Sequence, residues 1–208
     1  MAPSTVLLIL LPLFGLQMML VAKPTPRCRP LTGRVVTGAH HLLNATGPKF
    51  PLHCRPVNAN ISFPDSTLPT TAANRSQCPR VLWVVYKLLE GMWLTYEEHE
   101  LPVGDGGVNW DEKKLEEFFT LQDRLQDEGR CVSTRAHLSR TASVIVVSLP
   151  SDEEASGLLS SYFSNVTAVI EQQDSAACGW EALRRDVIWV LKSTQQIHRS
   201  CFNWSHAQ

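Results

Sequence analysis

The side chains with the most chemical capacity are six cysteines, at positions 28, 54, 78, 131, 178 and 201. An even set of this kind, lying wholly after an export signal, is read as a disulfide framework. Fully paired, it leaves no thiolate for catalysis. The seven histidines (40, 41, 53, 99, 137, 198 and 206) show no metal-ligand spacing. His40-His41 falls on a helix that already has an apolar stripe, so a rim or solvent position is expected. No serine lies in a Gly-x-Ser-x-Gly elbow. Gly104, Gly106 and Gly107 imitate a phosphate loop, but no Lys-Ser/Thr follows and no strand precedes. Five Asn-x-Ser/Thr sequons stand at Asn44, Asn60, Asn74, Asn165 and Asn203. The chemistry on offer is oxidative pairing and glycan attachment. No enzyme activity, cofactor or metal is expected.

The segment Val6–Leu20 is almost wholly apolar, and Met1–Ala22 carries no charge. It reads as a signal peptide cleaved after Ala22, ahead of Lys23-Pro24-Thr25-Pro26. Its start lacks Lys or Arg, so an uncleaved anchor is the competing reading. No later run approaches membrane-spanning length. The remaining chain, 23–208, reads as one secreted domain with a real core, since 44% of the 208 residues are hydrophobic. A net charge of -1 and the absence of a long basic run argue against nucleic acid as a partner.

Helices must position these residues. The central one is Cys178–Arg199, where Trp180, Leu183, Val187, Leu191 and Thr194 share one face. Glu181, Arg185, Lys192, Gln196 and Arg199 are expected opposite. A first helix spans Arg29–Leu43, weakened by Gly33 and Gly38 and ended by Gly47-Pro48. A proline-rich connection, 48–77, has the reach to run the length of a bundle. Pro79 opens a second helix that fades near Glu97. Asn109 is expected to cap a third, which stops at Gly129. Ser151-Asp152-Glu153-Glu154 has the form of a capping box before the stripe Leu158–Ile170. Residues 134–150 fit either a short strand or a poorly patterned helix. The sum is all-α: a bundle of five main helices with a long first crossover, the up-up-down-down cytokine arrangement.

At four ordered places the residues resemble the type I interferons, most closely those of bony fishes. Cys178-Gly-Trp180-Glu181-Ala-Leu-Arg184 is similar to the family's Cys-Ala-Trp-Glu-x-x-Arg signature. Phe50-Pro-Leu-His-Cys54 with Ile61-Ser-Phe63-Pro64 is the second match. Val108-Asn-Trp110-Asp111 leading to Gly129-Arg-Cys131 is the third, and Tyr162-Phe163 leading into Cys178 the fourth. The resemblance implies a five-helix cytokine, acting as a monomer. It implies extracellular antiviral signalling through two class II cytokine receptor chains and the JAK-STAT route. Other four-helix cytokines or hormones, and more remotely a helical carrier of apolar ligands, are the rival readings.

The family topology implies a Cys54–Cys178 bridge at one end of the bundle. Position alone does not sort Cys28, Cys78, Cys131 and Cys201 at the other. The resemblance implies Cys28–Cys131 there, and Cys78–Cys201 as in six-cysteine members. It also places the high-affinity receptor chain on the first long loop and the last helix. The corresponding residues are Arg184, Arg185, Ile188, Trp189 and Lys192, with Arg55 from the loop. Arg184 matches in type and the others in position. Arg184 lies nearer the buried stripe, so an internal role competes with a contact. Trp189 lies opposite that stripe, and the crossing loop competes with a partner for its ring. Mammalian relatives carry Arg four positions after the loop cysteine; Asn58 stands there here.

Overall fold

Among the described residues five α-helices carry the chain: α1 (Gly33–Thr46), α2 (Cys78–Glu98), α3 (112–123), α4 (Asp152–Ile170) and α5 (Ala176–Ile197). A computed structural model describes residues 32–104, 106–123 and 151–204. The signal segment, Cys28, Cys131, the stop at Gly129 and the stretch 134–150 lie outside the described residues. No strand occurs among the described residues; one isolated bridge joins Thr32 to Asn203.

The helix starts follow local chemistry. Pro79 sits in the first turn of α2, where its missing N–H is not needed. Ser151 and Glu154 form the reciprocal capping box, with Glu154 N donating to Ser151 Oγ at 3.1 Å. A cap of this kind contributes about 1 kcal/mol. At α3 the expected cap is corrected: Asp111, not Asn109, accepts from the backbone, taking Lys114 N–H at 3.1 Å. The shift has a tertiary cause, because Asp111 N also donates to Thr46 O at 2.6 Å, fixing where the chain turns into α3. Gly33 opens α1 because the ring of Trp204 lies against it; a β-carbon there would sit 2.4 Å from ring atoms.

The end-to-end contacts define the topology. At one end, Thr46 meets Asp111, Cys54 bonds Cys178, and Trp180 packs against Tyr96 and Trp110. At the other, Gly33 N bonds Asn203 O, Cys78 bonds Cys201, and Arg80 pairs with Asp152. So α1, α2 and α4 run one way while α3 and α5 return. α5 is the central element, packing against α1, α2 and α4. Its Trp180, Leu183, Val187 and Leu191 are fully buried, as the stripe predicted. The crossover is not slack: Cys54, Ile61, Phe63, Leu68 and Ala73 are all buried. The Cys54–Cys178 and Cys78–Cys201 bridges fasten its two ends.

Candidate binding face of the last helix and the crossing loop

The first half of α5 works inward. Arg184 is 3% exposed. Its guanidinium donates to Leu43 O and Gly47 O, both at 3.3 Å, to Pro48 O, and to the Glu181 carboxylate at 3.1 Å. It also lies over the Trp110 ring. Trp110 Nε1 donates to the other Glu181 oxygen at 2.6 Å. A cation thus meets the outward-pointing carbonyls that end α1, where the helix dipole is negative. Two sequence expectations are corrected here. Arg184 does not stand on the surface as a receptor contact; it is consumed by the end of α1. Glu181 does not lie on the solvent face; it is 3% exposed, because Trp110 and Arg184 need its two oxygens.

One residue further on, the face opens. Arg185 is half-exposed, bonds Asp186 Oδ1 through Nε at 2.8 Å, and stacks on Phe50 from the loop. Asp186 itself is buried. It accepts the Tyr162 hydroxyl of α4 at 3.1 Å and the Phe63 N–H of the loop. Burial raises its carboxyl above the ordinary range, against the pull of Arg185, Tyr162 and Phe63. Burial and the Asp186 charge push the Tyr162 hydroxyl well up. Asp186 was not singled out from sequence. The signal was there: an acid directly after Arg185, on the side of α5 that faces α4.

Trp189 is 44% exposed and leans on Phe63, ring centroids 6.0 Å apart. The loop covers one face of the ring and leaves the other to solvent. Beside it lies a shallow depression of about 390 Å³, walled by Leu68, Pro69, Trp189, Ser193 and Ile197, with Asp65 at the rim and His198 in its lining. His198 itself is 1% exposed. Its Nδ1 accepts Ala73 N–H at 3.2 Å and its other nitrogen donates to Pro69 O. Burial holds it below the usual histidine range. The last turn of α5 is thereby stitched to residues 69–73. Ile188 is partly buried against the core; Lys192 and Arg55 are exposed. The face therefore brings together Arg185, Trp189 and Lys192, with Ile188 at its edge and Arg55 on the neighbouring turn.

His53 stands close to Cys54 and Cys178, but those two sulfurs are bonded to each other and offer no thiolate to a metal. Asn44, Asn74, Asn165 and Asn203 have exposed side chains. Asn74 Oδ1 also accepts from Ser76 N and Gln77 N, turning the chain into α2.

Comparison with known proteins agrees with this architecture. The family model of the interferon alpha/beta domain matches residues 32–201. Interferon alpha-1 of Sus scrofa is 26% identical over 125 residues, a match spanning 60% of this chain and 60% of that relative. The solved structure of zebrafish interferon 2 superimposes with a TM-score of 0.57 at 24% identity, over 80% of this chain and 98% of the other, a likeness of fold. With the family match reaching from the start of α1 to the Cys78–Cys201 bridge, the chain belongs to the interferon alpha/beta family.

Proposed function

We propose that the chain is a secreted antiviral cytokine, cleaved after Ala22 and acting as a monomer. Its mature part bridges two class II cytokine receptor chains and starts JAK-STAT signalling and interferon-stimulated gene expression. The high-affinity chain docks on α5 and the crossing loop, through Arg185, Ile188, Trp189, Lys192 and Arg55. The observation that carries this reading is the half-exposed Trp189 on a backbone fixed from both sides. Phe63 supports the ring, Asp186 holds Phe63, and disulfides fasten the loop at both ends. A rigid aromatic beside cations is the form that binding anchors take. Its rigidity lowers the ordering cost of docking. The bridges among the described cysteines fit an oxidising, extracellular setting. The five sequons, Asn60 included, supply glycan acceptors for the same route.

The test adds purified mature protein to responsive cells and follows phosphorylation of signal transducers over minutes. Natively bridged protein that stays inert would sink the reading. Competition between isolated receptor ectodomains separates it from another helical cytokine, which would keep the bundle and bind a different pair.

A further inference from the structure

We propose that the seam between α1 and α5 binds a linear polyanion, a sulfated polysaccharide of the kind found at cell surfaces. This goes beyond the receptor reading and does not depend on it. The near-neutral net charge hides a segregated one. No Asp or Glu occurs from residue 32 to 64, or from 187 to 204. α5 has two carboxylates, Glu181 and Asp186, and both are buried: Glu181 on Trp110 and Arg184, Asp186 on Tyr162 and on Arg185, the one cation of the seam with a carboxylate of α5 beside it. Apart from Asp65 in the crossing loop and Glu171 and Asp174 just before α5, the exposed carboxylates of the described residues lie on α2, α3, α4 and the turns between them.

Cations line the seam at three heights. α1 and α5 run antiparallel and pack closely. At the base, Gly33 N bonds Asn203 O, and Trp204, whose ring carries Arg199, lies against Gly33, the residue before Arg34. Midway, Gln195 Nε2 reaches Val36 O at 3.5 Å, and both Lys192 and His41 come close enough to His40 to matter electrostatically. At the top, Arg185 stacks on Phe50, one residue beyond Lys49. Arg185 and Lys192 stand seven residues apart on α5, about 10 Å along the axis by the helical rise, and Arg199 follows in the turn beyond its end. Burial, then Lys192, then His41 hold His40 below its usual protonation range.

A protein partner would want an aromatic or aliphatic anchor. None of the exposed large hydrophobics among the described residues lies on α1. Trp189 and Ile197 sit on the other flank of α5, against loop residues 65–70. A ladder of cations without an apolar centre suits a ligand whose recognition is charge and spacing.

The test measures binding of the mature glycoprotein to an immobilised heparin-derived decasaccharide across a salt series. An Asn44→Gln form, free of any glycan beside the seam, is run alongside. Expected is binding that falls steeply with salt through counterion release. His41→Glu and Lys192→Glu should each weaken it by at least about tenfold, and Lys113→Glu on α3 by less than about twofold. Trp189→Ala should leave it unchanged. All these positions are exposed or half-exposed, so folding survives and is checked by melting. No binding by either glycoform would overturn the proposal. So would equal losses from Lys113→Glu and His41→Glu. If the seam variants lost a receptor ectodomain but kept heparin, the seam would serve a protein and the proposal would fall.

Discussion

Replacing Arg184 with methionine separates an internal clamp from a receptor contact. The stem is kept and the guanidinium removed. Three carbonyl oxygens, on Leu43, Gly47 and Pro48, lose their donor, and the Glu181 carboxylate stays buried without its cation. Breaking one side of a buried pair costs ~3–5 kcal/mol, chiefly because the other charge is stranded. In a domain of this size each kcal/mol moves the melting midpoint by about 2–4 °C, so a fall of roughly 6–20 °C is expected. Glu181→Gln should cost less, since Arg184 keeps its carbonyl acceptors and the Trp110 face. The double variant Glu181→Gln, Arg184→Met removes the stranded charge. It should be less damaged than the two single losses added, by ~0.5–3 kcal/mol of coupling. Melting by circular dichroism, paired with receptor-ectodomain binding of the folded protein in the cold, reads both quantities. A melt within about 2 °C of the parent, with receptor affinity lost, would refute the clamp.

Three further outcomes follow from the same geometry. Trp189→Ala should weaken ectodomain binding by about 2 kcal/mol or more, near thirtyfold, while the melt moves little, because one face of the ring is already wet. Removing the Cys78–Cys201 bridge, which spans 123 residues, with paired serines should cost ~2–4 kcal/mol by calorimetry and free residues 69–73 to proteolysis. For His198, the folded state resists a proton that the unfolded chain accepts near pH 6.5. Its contribution is therefore complete above that pH and is lost as the pH falls below it, by up to about 1.4 kcal/mol per pH unit. His198→Gln can keep both backbone contacts. It should flatten the drop in melting temperature between neutral and mildly acidic buffer, and an unchanged drop would show that His198 is not its source.

The sequence is legible where its signals are local. The Ser151–Glu154 box needs four residues, and it formed. The α5 stripe follows from one period, and its apolar members are buried. The Cys54–Cys178 and Cys78–Cys201 pairs agree with what the family resemblance implied. What stayed hidden depends on distant partners. Periodicity assigns one buried face per helix, but α5 packs against three other helices and the loop. From Cys178 to Arg184 every residue is buried. A stripe cannot reveal that, and it places Glu181 in solvent. Its first partner, Trp110, is 71 residues away, and the nearest of Arg184's carbonyl partners is 136. The cap of α3 moved for the same reason, since Thr46 holds Asp111.

That contrast explains what the family signature carries. Trp180, Glu181 and Arg184 sit inside a knot that joins the end of α1, the start of α3 and α5. A change there strands a charge or opens the core at a cost of several kcal/mol. Exposed positions such as Lys192 and His41 can change for about 0.5 kcal/mol or less. A chain that keeps the knot keeps the bundle while its outer face drifts. The knot therefore identifies the scaffold and says little about the partner. In the proposed reading, partner choice belongs to the outer residues, where Trp189 stands on one flank of α5 and the seam cations on the other.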